Sequence, residues 1–381
     1  MKILHVQYAS PAAYPPLEHA ARILAERGAR VRFLGVEVGS VRKLRFPPLD
    51  GVEVRLLAEC APGWRQKLHY LRFAAWAMWH LARWRPDAVY VSDTTAAPLG
   101  LLLQRMTGVP VVYHEHDAPG TAVAARGFGR MCLAARSRLA ARAAAVVVPN
   151  AERARLLGEE SGRAGGVEVV WNCPARAEVA PARASGEGPL RLVFHGSIVP
   201  ERLPIAVVEA LARVAAPVEL LVAGYEPAGA AGYCDRLRAR AAELGIAHRL
   251  RFAGTIPRRD DLLRLCAEHD AGLALMPGDS DDVNLRCMAG ASNKPFDYLA
   301  CGVCPIVSDL PDWRRAFVEP GYALACDPSS AGSIAAAIEW AAAHRPELAA
   351  MAEAGRQRVM AEWNYEHQFA PVAALLCAEA A

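Results

Sequence analysis

Two polar segments in the second half of the chain have residue types and spacing suited to an anionic ligand. The first reads Ser-Asn-Lys-Pro-Phe-Asp-Tyr from Ser292. It predicts a polar turn and then a short helix, since proline is tolerated in a first helical turn. Free N–H groups at a helix start favour phosphate, and Lys294 adds a charge there. Asp297, one turn further, is placed to accept hydrogen bonds from two sugar hydroxyls. An ordinary strand-to-helix turn with a surface lysine fits the spacing equally well.

The second segment follows a predicted strand and reads Phe-His-Gly-Ser-Ile-Val-Pro-Glu-Arg from Phe194. Gly196 lets a ligand approach the backbone closely. The guanidinium of Arg202 has the fork geometry that binds a diphosphate. A solvated arginine at the start of a helix is the alternative interpretation.

A third polar segment, His-Glu-His-Asp from His114, follows a predicted strand in the first half of the chain. Ionisable residues at the carboxyl end of a strand are typical of a site in parallel-sheet proteins. His114, His116 and Asp117 are the candidates in this segment. The two histidines would share a metal ion only if the strand continued past them, with both facing one side. No metal site is therefore predicted.

Alternating strands and helices must position these segments. Short apolar runs alternate with longer amphipathic ones, which predicts an α/β fold of parallel strands joined by crossover helices. We predict a Rossmann-like domain over 1–175, a linker over 176–189, and a second Rossmann-like domain over 190–361. A last helix over 362–381 is expected to cross back to the first domain. Ligands of such sheets bind beyond the strand carboxyl ends, so the cleft between the two domains is the expected site.

The composition supports this two-domain organisation. Of 381 residues, 53% are hydrophobic and 22% charged, which favours large cores and argues against disorder. A net charge of +3 does not indicate the strongly basic face of a nucleic-acid-binding protein. No apolar run has the roughly 18 residues needed to span a bilayer, and the start of the chain lacks signal-peptide features. Scattered cysteines favour a reducing, cytoplasmic setting, and the pair Cys301 and Cys304 is interpreted as buried and inert.

The segment from Ser292 resembles the donor-binding region of the retaining family-four, or group 1, glycosyltransferases of GT-B fold. That region often reads Ser-Pro-Asn-Lys-Leu-Phe-Glu-Tyr-Met-Ala-Ala-Gly-Leu-Pro-Val, and the chain is identified as a member of the Asn-Lys-x-Phe-Glu/Asp-Tyr subfamily. In the family, the acidic residue at the Asp297 position binds the ribose hydroxyls. The resemblance implies donor-binding roles for Asn293, Lys294, Pro295, Phe296 and Asp297.

The chain also departs from the family pattern. Asp297 stands where glutamate is usual, and Ala289 stands where a glutamate commonly contacts the donor sugar. The family loop after the first strand of this domain reads Gly-Arg, four residues, Lys-Gly, with both cations on the diphosphate. Here Gly196 is retained, Ser197 replaces the arginine, and Arg202 takes the place of the lysine. We expect Lys294 to supply the missing second charge.

The resemblance implies transfer of a sugar from a nucleoside diphosphate donor, UDP or GDP, to an acceptor hydroxyl with retention and without a required cofactor. The acceptor is a glycan, a lipid-linked sugar or a small molecule. The implied catalytic residues are His116, Asp117, Arg202 and Lys294. The implied acceptor-side residues are Ser10, Asp93 and His114. A sugar-nucleotide epimerase of the same fold, or a non-catalytic nucleotide-sugar-binding homologue, are the alternatives.

Residues 64–85 combine tryptophans with arginines and a lysine. A packing helix whose long side chains cover apolar surface is the favoured interpretation. An amphipathic helix lying on a membrane is the alternative. Accordingly we expect a cytoplasmic protein, with peripheral contact at the inner face of the membrane as the alternative.

Overall fold

Parallel strands and crossover helices make up both halves of the computed structural model, which describes residues 1–61, 63–120, 127–181 and 188–378. The first half holds a parallel sheet of β1 (Lys2–Val6), β2 (Arg30–Val36), β3 (Val52–Leu57), β4 (Ala88–Ser92), β5 (Val111–His114), β6 (Ala145–Val148) and β7 (Glu168–Val169). Its helices are α1 (Pro15–Glu26), α2 (Trp64–Trp84), α3 (Ala97–Thr107), α4 (Gly127–Arg142) and α5 (Ala151–Ser161). The strand order is β3-β2-β1-β4-β5-β6-β7.

The second half repeats this architecture with a sheet of β8 (Leu190–Ser197), β9 (Val218–Tyr225), β10 (Leu250–Gly254), β11 (Ala271–Ala274), β12 (Cys304–Ser308) and β13 (Leu324–Cys326). Its helices are α6 (Ile205–Arg213), α7 (Tyr233–Glu243), α8 (Arg259–Ala267), α9 (Val283–Arg286), α10 (Asn293–Ala300), α11 (Pro311–Trp313), α12 (Ala331–Ala343) and α13 (Arg345–Ala361). The strand order is β10-β9-β8-β11-β12-β13. The predicted pair of parallel α/β domains is confirmed.

Helices cover both faces of each sheet, so the central strands are mostly apolar. In the first domain, α2, α3 and α4 share one hydrophobic core with one face of the sheet. The helix α1 covers the other face, together with α14 (Tyr365–Gln368) and α15 (Ala370–Ala378). Phe369 and Val372 of this C-terminal segment are buried beside Ile3 and Tyr90. The last described helix therefore packs on the first domain.

Hydrogen bonds join the two domains along the cleft. Asn172 donates its backbone N–H to the carbonyl of Gly290 over 2.7 Å, and its side chain donates to the carbonyl of Ala291 over 2.8 Å. The amide of Asn284 forms two 2.8 Å bonds with the backbone of Ala118. Of the predicted linker, residues 182–187 lie outside the described residues.

A glycine and two cysteines near the end of α10 have the roles that their residue types predict. Gly302 adopts a φ of 68° after α10, a left-handed conformation that glycine takes without steric cost and that ends the helix. Cys301 and Cys304 are buried free thiols. No helix in the described part of the chain combines the length and apolarity needed to cross a membrane.

Candidate active site

A concave site lies in the cleft between the two domains. On the first-domain side it is lined by the loop before α1 and by the residues that follow β5. On the second-domain side it is lined by the ends of β8 and β9 and by the start of α10. Both sheets thus direct the carboxyl ends of their strands at one cavity, where ligands of parallel sheets bind.

The end of β8 forms an open floor for this cavity. Gly196 has a φ of 106°, and a β-carbon there would meet only the Lys294 side chain, at 3.5 Å. A β-carbon on Gly224 would lie 1.8 Å from the Gly196 carbonyl oxygen, so only glycine fits there on the neighbouring strand. Ser197 accepts a 3.0 Å hydrogen bond from Nη1 of Arg202. This bond holds the guanidinium at the cavity wall.

Lys294 lies at the start of α10 and is 6% exposed. Its ammonium sits 5.3 Å from the centroid of the Phe194 ring. Burial, and then the charge of Arg202, lowers the pKa of Lys294 to about 7. Within the described residues no carboxylate lies within ion-pair distance of this ammonium. A buried cation without such a partner is costly, and an anion bound in the cavity would remove that cost.

The other residues of this helical turn divide between the cavity and the core. Asn293 and Asp297 line the cavity with Lys294. Phe296 is fully buried and packs against Trp171, Phe317 and Trp363. Pro295 is also buried and is not part of the cavity lining. The structure therefore does not bring the side chains of Pro295 and Phe296 to the cavity.

Asp297 belongs to a buried ionic cluster that joins both domains; we call Asp297, Arg259, Glu178 and His19 the Arg259 cluster. Nη2 of Arg259 lies 2.7 Å from Asp297 Oδ1, and its Nε lies 2.7 Å from Glu178 Oε1. His19, on α1, lies 3.0 Å from Glu178 Oε2. Burial alone would raise the pKa of Glu178, but the nearby Arg259 and His19 outweigh it and hold that pKa well below its usual range.

The same cluster has one geometric feature of a metal site. Glu18, His19 and Glu178 have ligand atoms within 4.8 Å of one another. Arg259, however, already places its cationic guanidinium on both oxygens of Glu178. The positive charge that this carboxylate needs is therefore supplied by the protein itself, and the group is best described as a salt-bridge network.

The first-domain wall is built around His116. Its backbone N–H donates to Asp93 Oδ1 over 2.9 Å, and its carbonyl accepts from Arg153 over 2.8 Å. Both ring nitrogens are buried, and neither has a hydrogen-bond partner in the described structure. Burial, and then the charge of Arg153, lowers the pKa of His116 to about 3. The imidazole is therefore neutral at physiological pH and faces the cavity beside the exposed Asp117.

A second chamber opens from the cleft into the first domain. The two cavities share Tyr14 and Asp117 in their linings. Asp93 lines the second chamber and has a φ of 68°, which is rare for a residue other than glycine. It accepts a 2.7 Å hydrogen bond from Gln7. Burial, and then the charge of Asp117, raises the pKa of Asp93 to about 7.

The remaining predicted acceptor-side residues lie away from these cavities. His114 stacks beneath His116 with ring centroids 3.8 Å apart and shares a 2.7 Å hydrogen bond with the Tyr90 hydroxyl. It lines neither the cleft nor the second chamber, and the same holds for the buried Ser10. Of the predicted acceptor-side residues Ser10, Asp93 and His114, only Asp93 lines one of the two described cavities.

Sequence reasoning missed three residues that line the cleft, Tyr14, His195 and Arg259, and also Glu178, which pairs with Arg259. Tyr14 stands between the two cavities, and His195 lies 3.5 Å from Asp297. Arg259 has the sequence context of a surface arginine at a helix start, and Glu178 lies in the segment predicted as linker. The position of His195 next to Gly196, at the end of a predicted strand, was a usable signal for that residue.

Family models match both halves of the chain. The model of the glycosyl transferase 4-like domain matches residues 16–173, and that of the glycosyl transferases group 1 matches residues 176–358. A comparison with curated protein sequences gave no significant match.

Solved structures share the whole architecture. The Anabaena protein HepE in complex with UDP-glucose is 17% identical, with a TM-score of 0.72 over 99% of this chain and 100% of that one. Sucrose-phosphate synthase from Thermosynechococcus elongatus is 15% identical, with a TM-score of 0.74 over 99% and 98%. A glycosyltransferase from Rickettsia africae is 13% identical, with a TM-score of 0.71 over 100% and 98%. At these identities the matches establish the shared GT-B fold.

Proposed function

Since the chain belongs to the glycosyl transferases group 1, we propose that it transfers a sugar from a UDP-sugar to an acceptor hydroxyl with retention of configuration. Nucleotide-sugar transfer is the activity of the family. UDP is the proposed nucleotide because HepE, similar over its full length, has been solved with UDP and with UDP-glucose.

The buried ammonium of Lys294 is the observation that carries the proposal. It stands on the cavity wall beside the open floor at Gly196 and near the cation Arg202. A diphosphate seated there would receive two cationic groups and the free N–H groups at the start of α10. We assign Gly196, Ser197, Arg202, Asn293 and Lys294 to the diphosphate.

The same groups act in the chemical step. When the bond between the anomeric carbon and the diphosphate oxygen breaks, negative charge grows on the departing diphosphate. Preorganised cations and N–H groups stabilise that charge more in the transition state than in the ground state. The acceptor oxygen forms the new bond on the side that the diphosphate leaves, and its proton passes to the departing diphosphate. This reaction needs no nucleophilic side chain from the protein.

Asp297 is the proposed partner of the ribose hydroxyls. Each oxygen of an ionised carboxylate can accept more than one hydrogen bond, so the Arg259 contacts leave acceptor capacity toward the cavity. Arg259 is in this account a positioning residue, because it fixes the carboxylate that touches the donor. Glu178 in turn fixes Arg259.

The first-domain wall is assigned to the donor sugar and the acceptor. The neutral imidazole of His116 lines the cleft, and neither of its nitrogens has a hydrogen-bond partner in the described structure; Asp117 is exposed beside it. The second chamber, with Asp93 on its wall, is the proposed acceptor site, since it meets the cleft at Tyr14 and Asp117. An acceptor there reaches the donor without leaving the protein.

The test replaces both cationic side chains that are proposed to bind the diphosphate, Arg202→Ala together with Lys294→Ala. We expect kcat/KM with the productive UDP-sugar to fall by at least about 10³-fold, because the loss of a single oxyanion-stabilising group already costs about 10²–10³. The matched control is Lys43→Ala with Arg251→Ala, two exposed cations outside the cleft. Normal turnover in the first variant would overturn the site assignment.

The same assay separates the competing functions. Wild-type protein is incubated with each UDP- and GDP-sugar alone, and then with a panel of glycan and lipid-linked acceptors. Epimerised donor without acceptor would identify an epimerase. Tight UDP binding without turnover on every acceptor would identify a non-catalytic homologue.

A further inference from the structure

The helix layer formed by α2, α3 and α4 has an outer surface unlike the rest of the molecule. Of the ten large hydrophobic side chains that are exposed in the described chain, eight lie on these three helices. They are Trp64, Leu68, Leu71, Trp79, Leu102, Met106, Phe128 and Met131. Exposed apolar side chains that cluster in this way mark an interaction surface.

On α2 these side chains form a continuous stripe. Trp64, Leu68, Leu71, Ala75 and Trp79 are all exposed and follow one another at intervals of three or four residues, the spacing of one helix face. Trp64 is 69% exposed and Trp79 is 53% exposed. The opposite face of α2 is buried in the sheet core through Phe73, Ala77 and Leu81. The helix therefore has two apolar faces, and the sheet covers only one.

The charges of this layer all have one sign. The three helices contain nine arginine or lysine residues and no aspartate or glutamate. Arg136 is buried and paired with Glu115 and Glu160. The other eight cations are exposed, among them Arg65, Arg72 and Arg130, and none of them has an ion-pair partner among the described residues. Eight exposed cations thus lie on the same helix layer as the apolar stripe, four of them on α2 itself.

We propose that this outer surface, the α2–α4 face, docks on an anionic lipid bilayer. Arginine and lysine next to exposed tryptophan and leucine match the headgroup charge and the acyl boundary of such a membrane. A second copy of the chain is a poorer occupant, because a two-fold interface places the same surface against itself. That arrangement would bring unpaired cations together.

The position of the α2–α4 face connects it to the acceptor site of the proposed function, on which this step rests. Tyr70 of α2 contacts the ring of Phe128 at the start of α4, with centroids 5.0 Å apart. Phe128, Gly129 and Cys132 also line the second chamber. The chamber thus opens at the edge of the α2–α4 face. A membrane there would present lipid-linked sugar hydroxyls directly to it.

Vesicle co-sedimentation tests the proposal without any donor or acceptor. The full chain is mixed with vesicles of phosphatidylcholine alone and with vesicles that also contain phosphatidylglycerol. We expect binding to be at least about tenfold tighter on the anionic vesicles and to weaken as salt is raised. Arg65→Glu with Lys67→Glu and Arg72→Glu should abolish the preference. Trp64→Ser with Leu68→Ser should weaken binding at least about fivefold.

The matched control is Met360→Ser with Arg315→Glu, an exposed apolar residue and an exposed cation of the second domain. This variant should bind vesicles like the wild type. UDP binding, measured for every variant, should be unchanged, so a failure of membrane docking is distinguishable from a failure of the donor site. Equal binding to neutral and anionic vesicles would overturn the proposal. So would a concentration-dependent dimer that Trp64→Ser with Leu68→Ser dissociates.

Discussion

The Arg259 cluster and the surroundings of Lys294 both adjoin the first turn of α10, and each holds a buried cation. Arg259 has two carboxylates within 2.7 Å, from Asp297 and Glu178. Lys294 has an aromatic ring beneath it and a second cation, Arg202, near it. Arg259 is thus satisfied within the protein, whereas Lys294 has no carboxylate within ion-pair distance among the described residues and is proposed to pair with an anion in the cleft.

This difference distinguishes structural charge from functional charge. A buried ion pair is costly to break, because the partner left behind has no other source of compensation. A buried cation held without a partner costs stability in the free protein and returns that free energy on binding an anion. Replacement of Arg259 should therefore lower the stability of the free protein, and replacement of Lys294 should raise it.

The largest effect on stability is expected for Arg259→Met. This change leaves the carboxylates of Asp297 and Glu178 buried together, with only His19 beside Glu178. The free energy of unfolding should fall by about 3–5 kcal/mol, measured by urea denaturation. Arg251→Met, which removes an exposed arginine, should change it by less than about 1 kcal/mol. Equal losses in the two variants would show that the Arg259 cluster is not structural.

For Lys294→Met the comparison predicts a gain in stability and a loss of binding. The pKa of Lys294 is lowered from its ordinary value to about 7. At neutral pH the unfolded chain therefore binds more protons, and burial of the group costs stability. Unfolding free energy should rise by on the order of 1–3 kcal/mol. UDP affinity, measured by calorimetry, should fall about a hundredfold.

Lys43→Met is the control for this pair of measurements, since Lys43 is exposed. It should alter neither stability nor UDP affinity. Normal UDP binding by the Lys294→Met protein would show that the Lys294 ammonium does not bind the donor.

Asp93 extends the comparison to a buried acid without a cationic partner. Its pKa is raised to about 7, so its carboxylate forms as pH rises through neutrality. If that carboxylate orients the acceptor, the transfer rate should rise between about pH 6 and pH 8. Asp93→Asn should lower the rate about tenfold and flatten this profile, since asparagine tolerates the positive φ. Asp50→Asn, on an exposed loop, should leave the profile as it is.

The smallest effect is expected for Ser197→Ala. This change removes the 3.0 Å hydrogen bond that holds Arg202 at the cavity wall. Loss of one hydrogen bond to a charged group should weaken UDP binding about fivefold to tenfold. Stability should not change, because Arg202 is half-buried and remains solvated. If Ser197→Ala lowers UDP affinity as much as is expected for Lys294→Met, then Ser197 contacts the diphosphate directly.

The sequence allowed prediction of features whose signals are local. Alternating apolar runs predict both sheets, and the helix start at Ser292 places Lys294 beside the cleft. The same segment misleads about Phe296, because the residue lies within a polar motif. Each helical residue turns the side chain by about 100°, so Asn293, Lys294 and Asp297 share one side while Phe296 faces the core.

Long-range ion pairs escaped prediction for a physical reason. Arg259 and Glu178 are 81 residues apart in the chain, and neither has a local pattern that distinguishes it from a solvated residue. An ion pair such as that between Arg259 and Glu178 depends on how the two domains pack together.

The pH dependence of UDP binding tests most directly the claim that Lys294 awaits an anionic ligand. UDP should bind the protonated ammonium, and the charge of UDP itself is nearly complete above about pH 7. With the pKa of free Lys294 at about 7, UDP affinity should fall by about tenfold per pH unit above neutrality. Lys294→Met should bind weakly with no such slope. An affinity for wild-type protein that stays constant between about pH 7 and pH 9 would contradict the account.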